Sequence, residues 1–192
     1  MPALSKRDQL IHTALELFNQ HGFHATGIDL IAKESGVTKK TLYSHFGSKD
    51  DLIVATLREL DVQSRSYFLK HVNEAGNDPR RRLLAIFDAA ACWFREQNFF
   101  GCTFINAIGE YAEGNLSIRQ VCAEYKRLGR EFIKGLCEQA GAPDPQALAD
   151  ELSILLEGAI VTAQVSPQVD AASIAKRAAS VLLEHALERT PT

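Results

Sequence analysis

Segments with helical spacing of apolar residues follow one another along this chain, separated by residues that start and stop helices, and no segment sustains strand alternation. The first runs from about Ser5 to Gln20, with Leu10, Ile11, Ala14, Leu17 and Phe18 as its apolar stripe. Ser5 is its candidate N-cap, Asp8 lies three residues on, and Gly22 is its stop. Short helices fit Ile28 to Ser35, closed by Gly36, and Lys39 to Phe46, capped by Thr38. Ser48 then caps a long fourth helix reaching about Val72, with Asp50 and Asp51 placed to suit the helix dipole. Asp78-Pro79 opens a fifth helix that extends to about Gln97. A short one near Thr103 to Tyr111 and a longer one from Ser117 to Ala140 follow. Asp144-Pro145 starts an eighth, Gln146 to about Val165, and the last spans Asp170 to about Arg189. The expected fold is all-α, with about nine helices.

Composition agrees. With 46% hydrophobic and 23% charged residues, the chain is neither disordered nor collagen-like, and few Gly (12) and Pro (6) favour helix. The net charge of −3 excludes a generic polycation, so any nucleic-acid contact must come from a local patch. Neither a signal peptide nor an apolar stretch near the ~20 residues of a membrane span is expected. Cys92, Cys102, Cys122 and Cys137 match neither a zinc knuckle nor a dense disulfide framework, which points to a reduced, cytoplasmic protein.

Residues 26–46 read TGIDLIAKESGVTKKTLYSHF. The first short helix puts Ile28, Ile31 and Ala32 on one face, and the second puts Leu42 and Phe46 one turn apart. Val37 plugs the turn behind Gly36. This is the pattern of a helix-turn-helix, whose second helix enters the DNA major groove. From Val37 to Lys49 there are three lysines and no acid, so the segment carries +3 inside a protein of −3. Thr38, Lys39 and Lys40 stand at the end of the helix that meets base edges. Thr41, Tyr43, His45 and Lys49 suit phosphate oxygens.

The longer string HGFHATGIDLIAKESGVTKKTLYSHFGSKDDLI resembles the DNA-binding domain of the TetR/AcrR family of transcriptional regulators. Matching positions include Gly22, Phe23, Thr26, Gly36, Val37, Thr38, Thr41, Tyr43, His45, Phe46, Ser48, Lys49 and Leu52. The resemblance places Thr26 among the DNA-binding residues. Gly27 stands where the family often has Ser or Thr, and Lys40 where it often has a small residue. The resemblance implies a DNA-binding domain over residues 1–50 and a ligand-binding and dimerisation domain over 51–192. It also implies a homodimer on a palindromic double-stranded operator, acting as a repressor released by a small-molecule inducer.

Eleven of the fifteen aromatic residues fall between Tyr67 and Phe132. An apolar, aromatic wall with a few polar groups is what a small-ligand pocket requires, so Phe87, Trp93, Phe94, Phe104, Asn106, Glu110 and Tyr125 are the candidate lining. Cys102 lies at an expected helix N-terminus, where backbone N–H groups favour a thiolate. NemR-type family members are similar in sensing electrophiles through a cysteine. In the last two helices Leu152, Leu155, Ala159 and Ala163, with Ala178, Val181 and Leu182, are the expected dimer face. GxSxG, HExxH, Walker A and GxGxxG are all absent, and the histidines form no metal-ligand pattern. No catalytic, metal or cofactor site is expected.

Overall fold

A computed structural model describes residues 4–188, and among these nine α-helices account for the regular structure. They are α1 (Lys6–His21), α2 (Ile28–Ser35), α3 (Lys39–His45), α4 (Lys49–Glu74), α5 (Pro79–Trp93), α6 (Thr103–Glu110), α7 (Leu116–Gln139), α8 (Pro145–Val165) and α9 (Ala171–Glu188). The expected end of the last helix, Arg189, lies outside the described residues. No helix among them is long and apolar enough to cross a membrane.

The caps read from sequence form. The Ser5 hydroxyl accepts from the Asp8 N–H at 3.2 Å, and Thr38 does the same for Thr41 at 3.1 Å. Ser48 accepts from the Asp51 N–H at 3.1 Å and donates to the Asp51 carboxylate at 2.8 Å, a reciprocal cap. Asp78 and Asp144 cap α5 and α8, each followed by proline in the first turn.

The fifth helix is shorter than its sequence implies. It ends at Trp93, and the backbone continues in tight turns, Arg95 N–H to Cys92 O at 3.2 Å and Glu96 N–H to Trp93 O at 3.1 Å. Phe99 folds back so that its ring meets Trp93 edge-on, with centroids 5.1 Å apart, and lies 5.0 Å from Phe94. No glycine or proline precedes this stop, so ring packing ends the helix.

The chain divides into two compact units. The first comprises residues 1–63 and 103–125, and the second 64–102 and 126–192. In the first, α1, α2 and α3 pack around Leu10, Phe18, Ile31 and Leu42, with Phe18 and Phe23 stacked 4.9 Å apart. In the second, α5, α8 and α9 enclose Leu83, Phe87, Leu136, Leu148, Leu152 and Leu183. Buried Ala159, Ala163, Ala175 and Ala179 let α8 and α9 approach closely. Lys126 pairs with Glu157 and Lys176 with Asp88, both at 2.6 Å.

Candidate nucleic-acid interface

Gly36 sets the turn between α2 and α3. Its φ of 65° and ψ of 20° are left-handed, and its N–H reaches Lys33 O at 3.2 Å while that of Val37 reaches Ala32 O at 3.1 Å. This paired closure leaves Val37 4% exposed inside the corner. Helix α3 then buries Leu42 completely, with Phe46 beneath it, and leaves Lys39, Lys40, Tyr43, Ser44 and His45 exposed. The exposed side thus carries cations, hydroxyls and a phenol, whereas the buried side is apolar.

The candidate residues are not equivalent in this arrangement. Thr38 is occupied as the α3 cap, and its hydroxyl lies 2.9 Å from that of the half-buried Thr41. Lys39 forms an ion pair with Asp29 in the first turn of α2. Asp29 was not among the residues singled out from sequence, and only the folded corner brings it to Lys39. Lys49 is half-buried and donates to His24 O at 3.3 Å. Burial pushes its ammonium below the usual lysine range, against the opposing pull of Asp50 and Glu110.

Thr26 requires a correction. Its side chain is fully buried, and its hydroxyl donates to Gly22 O at 2.7 Å, with Leu17 O at 3.2 Å. It fastens the α1–α2 loop to the end of α1 and presents nothing to a phosphate. The sequence signal for threonine here is structural.

The candidate ligand residues divide between the units. Phe87, Trp93 and Phe94 belong to the second, whereas Phe104, Asn106, Glu110 and Tyr125 belong to the first. Phe87 is 2% exposed within the apolar cluster, and Phe104 is equally buried, stacked on Tyr125 at 3.7 Å. Glu110 is a second correction: its carboxylate accepts the N–H groups of Phe23 at 2.8 Å and His24 at 2.6 Å. Those bonds occupy it in the first unit. Cys102 is 5% exposed and directly precedes α6.

The expected dimer face also needs redrawing. Leu152, Ala159 and Ala163 are buried in the chain's own core, Leu155 and Leu182 are half-buried against it, and Ala178 is half-buried. Val181 is exposed, as are Ile154, Val161, Val165 and Ile174. Helix α8 is apolar on more than one side, so periodicity alone leaves its inward stripe unspecified.

With this geometry in place, the comparisons decide the family. Residues 10–56 match the family model of bacterial regulatory proteins, tetR family. The chain is 27% identical over 156 residues to the HTH-type transcriptional regulator BetI of Rhizobium meliloti, covering 80% of this chain and 75% of that protein. A TetR-family transcriptional regulator from Streptomyces coelicolor superposes with a TM-score of 0.87 at 27% identity, covering 95% of this chain and 96% of the other. The chain belongs to the TetR/AcrR family. The HTH-type transcriptional activator FasR of Mycolicibacterium smegmatis is 37% identical over 89 residues, 46% of this chain, and the match spans 40% of that relative's length. This TetR-family chain is a DNA-binding transcriptional regulator, not an enzyme. The helix-turn-helix lies inside the matched segment, with α3 as its second helix.

Proposed function

We propose that this regulator is a cytoplasmic homodimeric repressor that binds a palindromic operator and is released by a small-molecule inducer. The observation that carries the dimer is the apolar stripe left uncovered on α8 and α9. Ile154 and Val161 lie seven residues apart, two turns along one side of α8, with Val165 one turn further on. Ile174 and Val181 repeat the seven-residue spacing on α9. Two copies joined by these helices form a four-helix contact, and the twofold axis gives a pair of α3 helices the symmetry of a palindrome. In this proposal residues 1–50 read DNA through Lys39, Lys40, Tyr43 and His45, with Thr38, Thr41 and Lys49 supporting. Residues 51–192 receive the inducer and the second subunit.

Selection of duplexes from a random pool tests the DNA half, and an enriched palindrome is the expected result. Non-palindromic enrichment would overturn the symmetric reader. Val161→Asp places a charge in the stripe, and the expected mass by sedimentation falls from dimer to monomer. A wild-type monomer at micromolar concentration would overturn the interface. FasR is named an activator, so a promoter–reporter with the selected operator tests the sign: repression is expected, and induction by the protein alone would refute it.

For the inducer, half-buried Trp93, the single tryptophan, reports directly on the Trp93–Phe94–Phe99 cluster. A compound that releases DNA is expected to change Trp93 fluorescence; release without any change would move the ligand elsewhere. Cysteine sensing through Cys102 is less well supported, because the thiol is buried whereas Cys92 is exposed. Cys137 is also buried, and its thiol is pushed up to about 11, first by burial and then by Glu138. Thiol reagents are expected to label Cys92 first. Release of DNA by a quinone that Cys102→Ser abolishes would favour the sensor reading instead.

A further inference from the structure

The α1–α2 loop ends one helix at His21 and begins the next at Ile28, so the N–H groups of Phe23 and His24 have no place in a helical ladder. Both point to one acceptor, the carboxylate of Glu110, with Oε1 taking Phe23 at 2.8 Å and Oε2 taking His24 at 2.6 Å. Glu110 is the last residue of α6, 87 positions along the chain from Phe23. The contact is returned: His24 Nε2 lies 2.8 Å from Glu110 O, and the His24 ring stacks on Tyr111 at 4.6 Å. Gly22 makes room for the approach, since a Cβ there would lie 2.9 Å from Glu110 Oε1. Lys49 also reaches this corner, donating to His24 O at 3.3 Å.

We infer that Glu110 is a positioning residue for DNA reading, a two-pronged carboxylate clamp that fixes the α1–α2 corner, and with it α3, to the end of α6. The inference rests on α3 being the reading helix. Both donors to the Glu110 carboxylate belong to the α1–α2 loop, and the core that holds α3 is apolar, built on Leu42, Phe46 and Ile31. Loss of the clamp therefore leaves the helices folded while freeing the angle at which the corner is held. A head that samples many angles binds its specific site in proportion to the fraction correctly oriented. Non-specific binding depends on phosphate charge and tolerates that freedom.

The test compares wild type, Glu110→Ala and Glu110→Gln on two duplexes: the one most enriched from a random pool, and a scrambled duplex of the same composition. The glutamine variant retains shape but offers only one acceptor oxygen, so it leaves one of the two N–H groups facing a donor. It also carries the test if the alanine variant does not fold. Each charge-assisted bond to a carboxylate is strong, so the expected loss on the enriched duplex is about 10- to 100-fold. Affinity for the scrambled duplex is expected to stay level or rise, because a negative charge has been removed. Amide hydrogen exchange at Phe23 and His24 is expected to accelerate. A charge effect alone would raise affinity for both duplexes, and a purely structural role would lower the melting temperature while leaving the ratio between duplexes unchanged. Either result overturns the clamp. Wild-type protein that fails to distinguish the duplexes would overturn the reading of α3, and this inference with it.

Discussion

Thr26 and Lys40 stand at opposite ends of what a polar side chain does in this head. Thr26 is fully buried and its hydroxyl serves two backbone carbonyls. Thr26→Val keeps the shape and removes the donor, so stability is expected to fall by about 1–3 kcal/mol in chemical denaturation. The salt dependence of DNA binding is expected to be unchanged, since no phosphate contact is lost. Lys40 is exposed on α3, where the family often has a small residue. Lys40→Ala is expected to weaken binding and to lower the slope of log affinity against log salt by about 0.9, the share of one phosphate contact. If the slope holds and only one base position in the selected site relaxes, Lys40 reads a base edge. Sequence could not separate these two roles, because a threonine and a lysine in a helix-turn-helix both look like DNA ligands until burial is known.

At the scale of elements, the corner between α2 and α3 depends on Gly36. Its left-handed conformation costs little without a Cβ, and the closure that follows seats Val37 in the core. Open space surrounds the position, so Gly36→Ala meets no steric clash and its penalty is backbone strain alone. A loss of about 1 kcal/mol or more is expected from the thermal midpoint. The helix boundaries were legible because their signals are local. Ser5, Thr38, Ser48, Asp78 and Asp144 act within three residues of themselves. The end of α5 was not legible, since it depends on Phe99 returning to Trp93 and Phe94. That is a packing event and carries no turn residue.

For the whole molecule, each unit holds a tyrosine that titrates unusually late. Burial pushes both Tyr67 and Tyr111 up to about 12. Cys92 and Glu96 add to the effect at Tyr67, and Asp50 and Glu110 at Tyr111. The folded state keeps these phenols neutral, whereas in the unfolded chain they ionise near 10. The stabilisation is complete below pH 10 and is lost as pH rises through about 12. The melting temperature is expected to drop across that window. Tyr67 also donates to Ala89 O at 3.1 Å. Tyr67→Phe is therefore expected to be less stable at neutral pH yet to show a shallower alkaline fall. An equally steep fall in the variant would remove Tyr67 from the account.

The all-α fold, the order of its helices, and a helix-turn-helix whose segment from Val37 to Lys49 is basic and free of acids were determined by the sequence itself. Each follows from periodicity, caps and charge within a window of a few turns. Which side of a helix turns inward is a different kind of fact. Leu152, Ala159 and Ala163 proved to be core while Ile154, Val161 and Val165 stayed exposed, because α8 is apolar on several sides and its neighbours choose the stripe. The role of Glu110 was decided in the same way. Its carboxylate acquired two backbone donors from a loop 86 and 87 residues earlier in the chain. Only tertiary structure settles such partners, because a hydrogen bond is fixed by distance in space and leaves no period in the sequence.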